Sequence, residues 1–327
     1  MYKVLLPVCL LIFISCKQTH IGSIERLDPS LDAIISAGVE PEVIADGFKW
    51  TEGPLWIEDK KMLLFSDVFS NNVYQWKEGH QAAVYLRSSG YTGSTARGGE
   101  LGSNGLMLAK DGKLVLCQHG NRQVASMNAV LEKPTASYTT IAGGFNGKRF
   151  NSPNDGTFSK EGELFFTDPP YGLEGRMADT KKEISFQGVY KVKRTGEVKL
   201  LCDSITRPNG IALFPDEKKL LVANSDSSKP YWYSFDIEND SLSNGRIFYN
   251  GLIDLKEGKG LPDGLKIDRN GNVFAAGPGG IYIFNSNAKL LGRIRLPVAA
   301  ANCAFSGDQK TLYITATNYL LRVKLRK

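Results

Sequence analysis

The sequence predicts an all-β protein, a six-bladed β-propeller whose last blade is closed by a strand from near the N-terminus. Three observations predict it. A polar residue followed by an apolar run, a polar turn and a second β-rich run recurs six times, at Glu52, Asn104, Asn154, Asn209, Asp263 and Asn302. Five of these copies are spaced by 50 to 55 residues and the sixth follows after 39, close to the length of a four-stranded propeller blade. The last copy has room for three strands only, while an unpaired β-rich segment, Pro41 to Ala45, stands ahead of the first.

Each copy justifies its strands by the same chemistry. In the second, Leu106-Met107-Leu108 leads to the turn Lys110-Asp111-Gly112-Lys113 and then to Leu114-Val115-Leu116-Cys117. The fifth runs Leu265-Lys266-Ile267, Asp268-Arg269-Asn270-Gly271, then Val273 to Ala276. Turn residues between short β-rich runs are hairpin signals. In the sixth, strands are expected at Ala304-Phe305, Thr311 to Thr315 and Tyr319 to Val323, with Pro41 to Ala45 as the fourth. Closure of that kind removes an exposed sheet edge. A β-sandwich or barrel also has short strands, but neither expects a polar residue to open every repeat. In a propeller those residues start the innermost strands and form a ring around the axis.

Ahead of the repeats, Lys3 and the apolar stretch Val4 to Ser15 read as an export signal (1–15), too short to span a membrane as a helix. Phe13-Ile14-Ser15-Cys16 resembles a lipobox, so Cys16 is expected to carry lipid; cleavage elsewhere as an ordinary signal peptide is the alternative. Residues 16–40 are expected to be a tether with a short helix from Pro29 to Ala37, and 41–327 the propeller. This arrangement implies a lipoprotein of the cell envelope, on the periplasmic side and by default at the outer membrane. With Cys9 and Cys16 set aside, Cys117, Cys202 and Cys303 cannot all pair, and buried free thiols are expected.

Composition excludes several functions. The chain has 327 residues, 42% hydrophobic and 23% charged, with 40 Lys and Arg against 34 Asp and Glu interspersed along it, so no basic block suits nucleic acid. Three histidines are too few for a His-rich zinc centre, and a metal must be held mainly by oxygen. No Gly-x-Ser-x-Gly elbow is present, and Gly143 to Lys148 lacks the Ser or Thr of a phosphate loop.

The ring is the candidate site. Two carboxylates and four amides converging on one axis make a hard-oxygen environment suited to Ca²⁺, Mg²⁺ or Mn²⁺. Asn-Gly and Asp-Gly are also common turn dipeptides. The preceding prolines (Pro153, Pro208 and Pro262) and the presence of Glu52, which has no turn preference, favour the ring.

The motifs Thr51-Glu52-Gly53-Pro54-Leu55-Trp56, Asn151-Ser152-Pro153-Asn154-Asp155-Gly156, Thr167-Asp168-Pro169-Pro170-Tyr171-Gly172, Arg207-Pro208-Asn209-Gly210 and Leu261-Pro262-Asp263-Gly264 resemble those of the SMP-30/gluconolactonase family, over about residue 41 to the C-terminus. Phe65-Ser66-Asp67, Cys117 to Arg122 and Thr311 to Thr315 resemble its bacterial gluconolactonase branch. The resemblance implies a six-bladed propeller that hydrolyses a sugar lactone. It places one divalent cation on Glu52, Asn154, Asn209 and Asp263, with Ca²⁺ the expected ion and Mg²⁺, Mn²⁺ or Zn²⁺ as alternatives. Asp263 is the candidate general base for metal-activated water. Asn104 and Asn302 are expected in the outer shell or the substrate site.

Further substrate contacts are expected from His119, Arg149 and Tyr171, against the plainer readings of a structural histidine, a solvent-facing arginine and a ring packed beside a turn. Ser88 to Gly105 reads as a lid or an inter-blade connection, and Asp168 as an ion ligand or a turn cap. A sugar lactone and the membrane, through Cys16, are the expected partners; no obligate protein partner is evident. The alternatives are a non-catalytic sugar- or protein-binding propeller and another esterase activity on the same metal site.

Overall fold

A computed structural model describes residues 19–326, so the expected signal segment and Cys16 lie outside the described residues. Six antiparallel sheets follow one another along the chain. Blade 1 consists of Thr51–Ile57, Met62–Asp67, Asn72–Trp76 and Ala83–Arg87. Blade 2 consists of Ser103–Leu108, Leu114–Gln118, Gln123–Met127 and Tyr138–Ala142. Blade 3 is Gly156–Phe158, Leu164–Asp168, Gly188–Val192 and Val198–Cys202. Blade 4 is Pro208–Leu213, Lys219–Asn224, Tyr231–Glu238 and Ser241–Asn250. Blade 5 is Leu265–Ile267, Val273–Gly277, Gly280–Phe284 and Leu290–Arg295. In blade 6, Asn302–Phe305, Thr311–Ala316 and Tyr319–Lys324 are joined by the N-terminal strand Glu42–Asp46, the expected closure.

The core is divided among the blade interfaces. Strand side chains alternate between the two faces of a sheet, and each blade is covered on both. In Met62–Asp67, Met62 and Leu64 pack toward blade 2, while Leu63 and Phe65 pack toward blade 6, so all six residues are buried. Comparable apolar clusters fill the other interfaces, such as Val115, Cys117 and Phe166 between blades 2 and 3, and Trp232, Val273 and Tyr282 between blades 4 and 5. The closing interface is held by Trp56 stacked on Tyr313, with centroids 5.2 Å apart. Cys117 and Cys303 are buried free thiols, as expected, and Cys202 is a half-buried one.

Residues 19–40 depart from the expected tether. Thr19–His20 adds a fifth strand to blade 6 and Ser23–Arg26 a fifth to blade 5. The expected helix is a single 3₁₀ segment, Pro29–Ala33, capped by Asp28 accepting from the Ser30 N–H at 2.9 Å. Leu31, Ile34 and Ile35 share one face and join the cluster between blades 5 and 6, with Leu31 and Ile35 fully buried. Burial of each such side chain is worth about 1.5–3 kcal/mol and contributes to docking the segment.

Candidate functional site

The inner strands begin on one face of the propeller, and three of them begin irregularly. Pairing with the second strand slips between Glu52 and Leu55, between Ser103 and Leu106, and between Pro208 and Ile211. Glu52, Asn104 and Asn209 therefore sit in or at the edge of a bulge, which frees them from the regular pleat and turns them to the axis. In blades 3 and 5 the ladder starts at Gly156 and Leu265, so Asn154 and Asp263 stand just ahead of it. The glycine directly after four of the ring residues (Gly53, Gly105, Gly210 and Gly264) permits close packing of neighbours. Gly53 has φ of +47°, and a Cβ there would lie 2.0 Å from the Asn104 carbonyl oxygen.

The chain entering these strands is clamped from the second strand of the same blade. Asp67 accepts from the N–H groups of Lys49 and Trp50 at 3.2 and 3.0 Å. Asp168 accepts from Asn151 and Ser152 at 2.8 and 2.7 Å, and Asn224 from Arg207 at 2.8 Å. Asp168 is thus the turn cap of the two readings left open by the sequence. Burial pushes its carboxyl up to about 7, against the opposing effect of those two N–H groups and of Arg122.

Glu52, Asn104, Asn154, Asn209 and Asp263 line one cavity of about 200 Å³ at the axis. Glu100 joins them, and Trp50, Tyr171, Arg176, Arg207, Ser225 and Leu261 complete its wall. Five of the six ring residues thus meet, together with Tyr171. Glu52 is buried and its Oε2 accepts from the Gly53 N–H at 3.2 Å; Asp263 keeps some exposure to the cavity and its Oδ1 accepts from the Gly264 N–H at 3.0 Å. Both carboxyls are pushed up, first by desolvation and then by neighbouring negative charge. Asp155 and Glu100 act on both, and Glu52 acts on Asp263. Oδ1 of Asn104 and of Asn154 is buried without a hydrogen-bond donor. Among the described residues no three His, Cys, Asp or Glu side chains gather into a metal-binding group, so a cation held here would need these amide oxygens as well as the carboxylates.

Three expected contacts fall outside the cavity lining. Asn302 lies beside it, donating from Nδ2 to Asp155 Oδ2 at 3.1 Å and accepting from Lys266 Nζ at 3.3 Å. His119 is fully buried behind Asn154, with Nε2 3.5 Å from Asn154 Nδ2, because its strand ends beneath the loop that carries Glu100. Arg149 is exposed, donates to the Asn121 carbonyl at 3.0 Å, and opens on a separate groove with Tyr91, Arg97 and Lys181. Arg149 belongs to the two-stranded turn Gly144–Phe145 and Lys148–Arg149, which stands away from the axis.

The sequence reading missed Glu100, Arg176 and Arg207 as cavity residues. Arg207 stands beside the Pro208-Asn209 motif, which is a usable signal; Glu100 and Arg176 arrive on loops with no periodic signal. The Ser88 to Gly105 segment is fastened in place, with Arg97 donating to the Gly120 carbonyl at 2.8 Å and to the Gly172 carbonyl, and Gly98 N–H donating to Glu174 Oε1 at 2.9 Å.

The chain is 37% identical to a gluconolactonase of Zymomonas mobilis over 94% of its own length and 87% of that protein. It is 28% identical to regucalcin of Xenopus laevis over 84% of this chain and 85% of that one. A solved gluconolactonase from Xanthomonas campestris superposes with a TM-score of 0.81 at 28% identity, covering 94% of this chain and 97% of that one. Residues 50–318 match the SMP-30/Gluconolactonase/LRE-like region, and the chain belongs to that family.

Proposed function

We infer that this protein hydrolyses a sugar lactone to the open-chain acid in the axial cavity, with one divalent cation as cofactor. The observation that carries the reading is the convergence of Glu52 and Asp263 with the donorless amide oxygens of Asn104 and Asn154 on one small polar cavity, in a chain related to gluconolactonases. The residues fit a cation: two carboxylates held close in a desolvating wall repel each other, and positive charge between them relieves that cost. Glu52, Asn154, Asn209 and Asp263 would hold it, and their hard oxygens suit Ca²⁺ first. Bound there, a divalent cation supplies a Lewis acid for a carbonyl oxygen and makes water a better nucleophile.

The side chains account for the rest of the reaction. Asp263 uses Oδ1 for the Gly264 N–H, which leaves Oδ2 to take a proton from water as its oxygen attacks the lactone carbonyl carbon. As the ring C–O bond breaks, that proton goes to the departing ring oxygen. Arg207 and the Tyr171 hydroxyl on the cavity wall donate hydrogen bonds that hold the sugar ring in place.

For the N-terminus we retain export and lipid attachment at Cys16, with residence at the cell envelope, on the strength of the apolar stretch and the Ser15-Cys16 step. Two residues, Lys17 and Gln18, separate Cys16 from the strand beginning at Thr19, so such an anchor would hold the rim of blade 6 within about 10 Å of the bilayer. Metabolic labelling with palmitate tests this, and absence of label from wild type at the level of Cys16→Ser refutes it.

The enzymatic reading is tested by pH-stat hydrolysis of D-glucono-1,5-lactone after chelation and after return of Ca²⁺, Mg²⁺, Mn²⁺ or Zn²⁺, corrected for spontaneous opening. Activity lost with chelator and restored by a cation is the expected result. A folded protein that turns over no five- or six-membered sugar lactone with any of these ions refutes it.

A further inference from the structure

His119 is the one histidine of three that is fully buried, and its ring touches two polar side chains that face opposite ways. Nδ1 lies 3.2 Å from Glu100 Oε2, and Nε2 lies 3.5 Å from Asn154 Nδ2. A neutral imidazole carries one N–H and one lone pair, and a carboxylate only accepts. The Glu100 charge stands close to Nδ1, although not aligned with it as a hydrogen bond, and so favours the proton on Nδ1, which leaves Nε2 as an acceptor. An acceptor at Nε2 holds the Asn154 amide with its NH₂ toward the ring and Oδ1 turned away, and that oxygen is buried with no donor on it. The opposite tautomer would reverse the amide and aim an NH₂ group into the cavity.

We propose that His119, set by Glu100, is a positioning residue that orients Asn154 so that its oxygen faces the axial cavity. Glu100 is in turn placed by the Arg97 contacts to the Gly120 and Gly172 carbonyls, so the Ser88 to Gly105 connection completes the site from outside the ring. This is how a side chain behind a ligand fixes the ligand's direction and the tautomer of the group behind it. The consequence for cation binding rests on the function inferred above; the orientation of Asn154 does not.

Two measurements test the proposal. Long-range ¹H–¹⁵N correlation on histidine-labelled protein reads the tautomer of the buried ring without any substitution. A proton on Nδ1 is expected, and a proton on Nε2 in the neutral ring overturns the proposal. Titration with Mn²⁺ and Ca²⁺ then compares wild type with His119→Gln and His119→Phe, with thermal unfolding recorded alongside. The phenylalanine variant is expected to bind about 10–100-fold more weakly. The glutamine variant, whose Oε1 accepts from Asn154, is expected to stay within a few-fold of wild type. A folded His119→Phe protein with wild-type affinity overturns the proposal. Wild type that binds neither ion refutes the cation reading of the function, while the tautomer still decides the orientation.

Discussion

Replacing Asp263 by asparagine separates the chemistry of the site from its stability, because the two should move in opposite directions. In the native side chain Oδ1 is held by the Gly264 N–H at 3.0 Å. An asparagine that keeps this bond presents its NH₂ where Oδ2 stood, so the cavity loses its proton acceptor and gains a donor. General-base assistance contributes about 10²–10⁴ in rate, so kcat should fall by that factor, equivalent to about 3–5.5 kcal/mol of barrier. Stability has the other sign. Burial and the neighbouring charges of Glu52, Asp155 and Glu100 raise the Asp263 carboxyl well above its ordinary range. A carboxyl whose folded-state pKa is raised costs stability once pH passes its unfolded pKa, and the cost grows until pH reaches the folded value. Cation-free Asp263→Asn lacks that cost and should unfold at or above the temperature of cation-free wild type at neutral pH. The assays are pH-stat hydrolysis of D-glucono-1,5-lactone with saturating cation and calorimetric unfolding with chelator. A variant within tenfold of wild-type kcat refutes Asp263 as base. One that unfolds well below wild type without cation shows that the residue holds the fold, which refutes the electrostatic argument.

Three further outcomes follow from particular contacts. Protons compete with a cation for Glu52, whose carboxyl is pushed up to about 8 by burial first, so calorimetric titration should show affinity rising with pH through the neutral range; affinity that is flat or falls over that range contradicts this. Asp168→Ala leaves the buried N–H groups of Asn151 and Ser152 without their acceptor, at about 1–3 kcal/mol each, and denaturant unfolding should report the combined loss together with weaker cation binding through Asn154. Leu31→Ala empties a fully buried position between blades 5 and 6 and should cost about 2–5 kcal/mol in the same measurement, whereas an effect below about 0.5 kcal/mol would mean the N-terminal segment is undocked in solution.

The repeat is legible in the chain because each blade must bury both faces, and that requirement writes apolar runs and turn residues at a fixed period. Glu52, Asn104, Asn154, Asn209 and Asp263 are legible as axial residues for the same reason: a residue at the start of an inner strand stands next to the axis. Residues that reach the cavity from elsewhere carry no such signature. Glu100 arrives on a Gly- and Ser-rich connection whose position depends on Arg97 meeting carbonyls of two other loops, and Arg176 comes from the long connection after Asp168. His119 reads as a substrate contact or a structural histidine, and it packs behind Asn154, since the loop bearing Glu100 covers it. The N-terminal segment reads as a tether because it lies ahead of the repeats and outside their period, and it finds its place only against the assembled outer edges of blades 5 and 6. By itself, then, the sequence determined the six-fold sheet, the strand that closes it and the polar ring on its axis, all of which are periodic and local. The tertiary structure alone decided which loops complete the cavity, which way the Asn154 amide points and where the first residues dock, because each of these depends on contacts between segments far apart in the chain.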